Sequence, residues 1–134
     1  MRLLVCGSRT WTNYEAIFNA IVDIMADTAV DCIIEGEAKG ADSLARRAAE
    51  ELDIPVLKFP ADWKTHRKQA GFIRNKQMLV EGIPDLVLAF QVNRSAGTQA
   101  TIDLARAAGI PVKVYEIKRL TCLVVDGRIH SEIA

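Results

Sequence analysis

The feature that most constrains this chain is an alternation. Short apolar runs, each too brief for a helix, are separated by longer segments whose apolar residues recur every three or four positions. The runs are "RLLVC" (2–6), "DCIIE" (31–35), "PVLKF" (55–59), "DLVLAF" (85–90) and "PVKVYE" (111–116). Runs of this length, bounded by glycine, proline or polar residues, read as strands buried on both faces. Between them, Ile17, Ile21, Ile24 and Met25 share one helical face in a segment ending near Asp27. Leu44, Ala48 and Leu52 are spaced by four within 40–52. A third helix is predicted over about 70–81, with Phe72, Ile73, Leu79 and Val80 apolar, and a fourth over 97–109, with Gly109 as its stop. "TNYE" (12–15) has the capping-box pattern, with Thr12 as N-cap and Glu15 three residues on. "PADWKTHRKQ" (60–69) reads as a loop or irregular turn.

Five strands alternating with helices predict an α/β, Rossmann-like three-layer sandwich with a mainly parallel sheet. The strand order expected is 3-2-1-4-5. The core spans 1–117 of a single domain, 1–134. The tail, 118–134, alternates around Asp126-Gly127 and predicts a C-terminal β-hairpin extension. In such a sheet, ligands sit at the carboxyl ends of the strands where the winding reverses. Here that is the crevice between the first and fourth strands, so the loops leaving Gly7 and Phe90 come first.

The charge balance narrows the partners. Lys plus Arg and Asp plus Glu are 17 each, so the formal net charge is zero. A neutral chain with 6% aromatic residues carries no electrostatic footprint for duplex DNA or an anionic membrane, and little for single strands. Cys6, Cys32 and Cys122 are far apart and odd in number, and neither His has a ligand-spaced neighbour. They read as thiols of a cytoplasmic protein without a metal or a resident cofactor. No apolar run approaches the roughly 20 residues of a membrane span, and the N-terminus enters a strand without a charged n-region and apolar h-region.

Candidate binding residues cluster at the predicted crevice. In "CGSR", Gly7 permits a sharp strand exit, and Ser8 and Arg9 reach either an anion or solvent. Gly36 and Gly40 bracket a turn into the second helix, where Lys39 and the N–H groups near Ala41 face the same end of the sheet. Asp42 serves either the helix dipole or a ligand. Glu35, at a strand end, takes a ribose hydroxyl or is solvated. Trp63 is a platform for a nucleobase or a lid on the core. Arg74 and Asn75 open the third helix, with Met78 one turn beyond; Arg74 points into the crevice or into solvent. In "SAGTQATIDLA" (95–105), Ser95 and Gly97 allow close approach, and the N–H groups of Gly97, Thr98 and Gln99 form a phosphate cradle unless Thr98 is only the N-cap.

"GSRTW", "EGEAKGADSLA", "FPADW", "AGFIRNKQM", "DLVLAF" and "AGTQATIDLARAAGIPV" fall in the order that resembles the YspA-like (cpYpsA-related) branch of the SLOG superfamily, found in bacteria and their phages. The resemblance covers residues 3 to about 115. It implies a Rossmann-like fold, a nucleotide or nucleotide-derived ligand, and a homo-oligomer. The superfamily also holds the LOG phosphoribohydrolases and the single-stranded-DNA-binding DNA-processing protein A group. The LOG PGGxGTxxE motif is matched at Gly97-Thr98, but Thr101 stands where its glutamate belongs. The arginine of the LOG RKxxM element corresponds to Arg74. The resemblance therefore implies that the phosphate-holding half is present and the LOG carboxylate absent. The expectation is a nucleotide-binding protein. The rivals are a nucleotide N-glycosidase using Glu35, Asp42 or Arg74, and a single-stranded nucleic-acid binder.

Overall fold

The computed structural model describes residues 1–118 and 122–132, with side chains described over 1–117 and 123–127. Its strands are β1 (Arg2–Gly7), β2 (Cys32–Glu35), β3 (Val56–Lys58), β4 (Leu86–Val92), β5 (Val112–Lys118), β6 (Cys122–Val125) and β7 (Arg128–Glu132). They form one sheet in the order β3-β2-β1-β4-β5-β6-β7. The first five run parallel, and β6 and β7 add antiparallel pairs at the β5 edge. This is the expected α/β fold and strand order, and the C-terminal hairpin continues the same sheet. Its turn, Asp126-Gly127, has positive φ at both residues, as a tight two-residue hairpin requires. Residues 119–121 and 133–134 of the expected tail lie outside the described residues.

Five helices cover the faces: α1 (Tyr14–Met25), α2 (Ala41–Glu51), α3 (Trp63–His66), α4 (Ala70–Gly82) and α5 (Ala96–Ala107). The period-two alternation of β1 explains the layering. Leu3 and Val5 point to one side and join Ile17 and Ile21 of α1 and Ala45 and Ala48 of α2. Leu4 and Cys6 point to the other and join Met78 of α4 and Ile102 of α5. Trp11 is 1% exposed and meets Phe90 edge-on at 5.3 Å, and Phe90 stacks on Tyr115 at 4.6 Å. Fully burying side chains of this size stabilises the fold by about 1.5–3 kcal/mol each.

Three local readings change. The N-cap of α1 is Asn13, not Thr12: its Oδ1 accepts the Ala16 N–H at 3.1 Å. Asn at N-cap serves as well as Thr, and the capping-box spacing pointed one residue too early. Residues 60–69 are not simply loop. Asp62 caps α3 by accepting from the Thr65 N–H at 3.1 Å, and a 3-10 turn, Arg67–Gln69, leads straight into α4. The N-cap of α5 is Ser95 rather than Thr98.

Candidate functional site

The site begins where β1 ends. Gly7 pairs with Phe90 of β4, and a Cβ at Gly7 would collide with the Phe90 carbonyl oxygen and the Ala41 side chain. Only glycine lets the two strand ends approach so closely. The Ser8 N–H then donates to Phe90 O at 2.8 Å, holding the turn against β4.

Ser8 is buried and ties the turn to α5. Its Oγ accepts the Val92 N–H at 2.8 Å and lies 2.7 Å from Ser95 Oγ. The Ser95 hydroxyl in turn donates to Thr98 Oγ1 at 2.8 Å. A serine hydroxyl has one hydrogen. Ser95 uses its hydrogen on Thr98, so Ser8 is the donor to Ser95. The relay runs Val92 N–H, Ser8, Ser95, Thr98. It leaves the Thr98 hydroxyl hydrogen without a recorded acceptor among the described residues, at the first turn of α5. The N–H groups of Ala96, Gly97 and Thr98 have no partner within the helix. Gln99 differs from the expectation, because its N–H donates to Ser95 O at 2.9 Å.

These groups line a cleft of about 590 Å³ over the β1–β4 crevice. Gly7, Ser8, Arg9, Asp42, Trp63, Arg74, Asn75, Met78, Ser95, Gly97 and Thr98 meet there. Arg9 lies over the Trp63 ring, its guanidinium carbon 5.3 Å from the centroid. The indole is half-exposed and covers Gly71 rather than the core. Arg74 is buried, not solvated. Its guanidinium donates to the Gly36 carbonyl and, through Nε, to Asn75 Oδ1 at 2.7 Å. A Cβ at Gly36 would overlap that guanidinium, so glycine there makes room for the arginine. Burial pulls the Arg74 pKa down, while nearby Asp42 favours its charge. Burial pushes the Asp42 carboxyl up, opposed by the Ala38 N–H it accepts and by Arg74. Burial also holds the Cys6 thiol protonated, which makes it an inert floor for the cleft.

Other expected residues fall elsewhere. Gly40 and Ala41 support the turn from behind: the Ala41 N–H donates to Ser8 O at 3.2 Å. Lys39 is exposed and does not line the cleft. Gln99 bonds Asp103 at 3.0 Å and lines a separate cavity with Gln91 and Arg106. Glu35 is fully buried rather than solvated, outside the cleft wall. Its Oε2 accepts the Glu37 N–H at 2.7 Å, Oε1 has no hydrogen-bond partner, and Arg46 stands 3.9 Å away. Burial pushes its pKa up to about 7.

The cleft also contains residues that sequence reasoning missed. Lys68, Gly71 and Phe72 come from the 3-10 turn and α4. A signal was present: 68, 71, 75 and 78 are spaced as one helical face, the face that carries Asn75 and Met78. Reading 60–69 as loop hid it. Thr101 lines the cleft as well, with its hydroxyl turned back onto Gly97 O at 3.2 Å.

A parallel sheet in this order, with a cleft at its crossover walled by a helix N-terminus and three cations, defines a Rossmann-like class of α/β protein. The chain belongs to the YspA, cpYpsA-related SLOG family, whose profile matches residues 1–66. It is 36% identical over 117 residues to the Gene 61 protein of Mycobacterium phage D29, covering 83% of this chain and 93% of that protein. No solved structure matches it. Among the described residues, no helix is long and apolar enough to cross a membrane.

Proposed function

We propose that the cleft binds a nucleotide or nucleotide-derived ligand through its phosphate. The observation that carries this is the hydroxyl relay, which delivers one unspent hydrogen from Thr98 beside the unpaired N–H groups of α5. Donors converging at a helix N-terminus suit an anion, and phosphate is the anion a nucleotide carries. Arg9 and Lys68 supply counter-charge. Arg74 contributes field more than contact, since its guanidinium is engaged by Gly36 and Asn75. Trp63 and Phe72, both substantially exposed in the cleft wall, suit the flat face of a base. The free thiols Cys6 and Cys32 support a reducing, cytoplasmic setting.

A hydrolase is the second reading, and Asp42 favours it. Asp42 lines the cleft, and burial shifts its carboxyl toward the protonated form that a general acid needs. Thr101 does not replace the LOG glutamate, because its hydrogen is used on Gly97.

The test is thermal stability against a panel of nucleoside monophosphates, diphosphates, dinucleotides and cyclic dinucleotides, with released base and ribose phosphate followed in parallel. A ligand at a hundredfold over its Kd stabilises by about 2.7 kcal/mol. Stabilisation without product supports the binder. Turnover abolished by Asp42→Asn supports the hydrolase. Binding fails as a reading if no nucleotide raises the melting temperature.

A further inference from the structure

A second cavity, of about 470 Å³, is separated from the cleft by α5. Gly97, Thr98 and Thr101 line the cleft, whereas Gln99, Ile102 and Arg106 line this cavity. Val112 and Val114 of β5, both half-buried, form its sheet side. Its size falls within the roughly 300–1,000 Å³ of small-molecule sites.

Gln91 shows what the cavity lacks. The residue is 3% exposed, and its Oε1 has no hydrogen-bond partner. Two contacts fix which amide atom that is. Asp103 Oδ1 accepts from Gln99 Nε2 at 3.0 Å, so Gln99 turns its Oε1 to Gln91 and accepts from Gln91 Nε2 at 3.4 Å. A carboxylate only accepts, so neither amide is reversed. What Gln91 has left is an acceptor, and a donor brought by a ligand removes the penalty of leaving it unmatched. The Gln99 contact is long and the terminal torsion of a glutamine is broad, so the amide turns toward an incoming N–H at small cost.

The charges select the ligand. Arg94 and Arg106 are exposed and make no ion pair among the described residues. Against them stand Glu116, level with Gln91 across the β4–β5 pair, and Asp126, held by the Val114 N–H at 2.9 Å. A lining with two cations and two carboxylates disfavours a plain anion or a plain cation and suits a ligand with one charge of each sign. An ammonium fits at Gln91 Oε1 beside Glu116, and a carboxylate at Arg106. The length follows from α5. Gln99 and Arg106 are seven positions apart on one face, about 10 Å along the axis, and a helical arginine reaches back toward the N-terminus. That leaves several bonds between the two charges, more than the single carbon of an α-amino acid. Ile102, Val112 and Val114 give the intervening stem an apolar wall.

We infer that this cavity binds a short linear zwitterion of dipeptide length, its amine on Gln91 and its carboxylate on Arg106. The site stands independently of what the cleft binds.

Titrating the full chain with L-alanyl-L-alanine tests it, read by nuclear magnetic resonance at the side-chain amide of Gln99. The expected result is a saturable shift. The N-acetylated and C-amidated dipeptides, each lacking one charge, are expected to bind about tenfold more weakly. Gln91→Leu deletes the acceptor and is expected to abolish the shift while the melting temperature holds or rises. Should that buried substitution misfold, Arg106→Ala, at an exposed position, is expected to weaken the dipeptide about tenfold with circular dichroism unchanged. No shift with the dipeptide at its solubility limit overturns the inference. So does equal binding by the blocked dipeptides, or binding that survives both substitutions.

Discussion

Ser8 Oγ and Ser95 Oγ lie 2.7 Å apart, joining the end of β1 to the start of α5 across 87 positions of sequence. The contact fixes the two loops of the crevice relative to each other before any ligand arrives. Ser8→Ala removes the acceptor of the Val92 N–H and the donor to Ser95 together. Leaving buried polar groups unmatched costs about 1–3 kcal/mol. We expect a fall of that size in urea denaturation at unchanged m-value. Wild-type stability in Ser8→Ala would mean that the relay contributes nothing to holding the loops.

The relay also predicts a division between folding and binding at Thr98. Thr98→Val keeps the shape but supplies neither the acceptor for Ser95 nor the outgoing hydrogen, whereas Thr98→Ser supplies both. Phosphate-bearing nucleotides are expected to bind Thr98→Val about tenfold more weakly, the loss of one charge-assisted hydrogen bond, and Thr98→Ser nearly as well as wild type. Isothermal titration with the ligand found in the panel reads this directly. Equal affinity in Thr98→Val would place the phosphate away from α5.

Glu35 makes stability depend on pH. Its folded pKa, about 7, stands above the ordinary value of 4.5 because burial penalises the carboxylate. Between those values the folded state holds more protons than the unfolded chain. The stabilising contribution is therefore complete below about 4.5 and is lost as pH rises through 7. The difference is on the order of 1–3 kcal/mol. Glu35→Gln, neutral at every pH, is expected to flatten the decline in melting temperature over this window. An unchanged pH slope in Glu35→Gln would show that the carboxylate is compensated in the fold, with Arg46 the nearest cation.

Much of this architecture was legible because it rests on periodicity. The β1 sequence "RLLVC" already specifies two buried faces, and the alternation of strand and helix leaves few sheet orders. The crevice followed from topology, so Gly7, Ser8, Gly97 and Thr98 were found without any side-chain geometry. Side-chain direction was not legible. Glu35 and Asp42 lie seven positions apart at the same end of the sheet, yet Asp42 faces the cleft while Glu35 packs behind it near Arg46 of α2. Arg74 looked equally able to face solvent. Its burial depends on Gly36, 38 positions away, having no side chain. Lys68 was hidden because α3 is short and held by the Asp62 cap, a local bond that periodicity does not register, and Phe72 because it read only as one of the apolar residues of the helix over 70–81.

The loop between β4 and α5 carries a strain that can be measured. Asn93 and Arg94 have φ of 49° and 51°, two successive left-handed residues just before Ser95. Asparagine tolerates this region, but arginine does not favour it, at a cost of roughly 1–2 kcal/mol for an ordinary L-residue. Glycine removes that cost and adds about 0.5–1 kcal/mol of unfolded-state entropy in return. Arg94 is exposed, so its side chain contributes little to set against the exchange. Arg94→Gly is therefore expected to raise the melting temperature, by about 2–5 °C for a domain of this size. The gain from Asn93→Gly should be smaller. The strain also has a consequence for binding, because this turn sets the direction in which Ser95 enters the relay. A glycine that relaxes the loop leaves Ser95 less fixed, so Arg94→Gly should bind nucleotide more weakly even as it unfolds at higher temperature. Opposite movement of the two readouts is the expected signature. A fall in melting temperature would show instead that the Arg94 side chain stabilises the loop by more than its backbone costs.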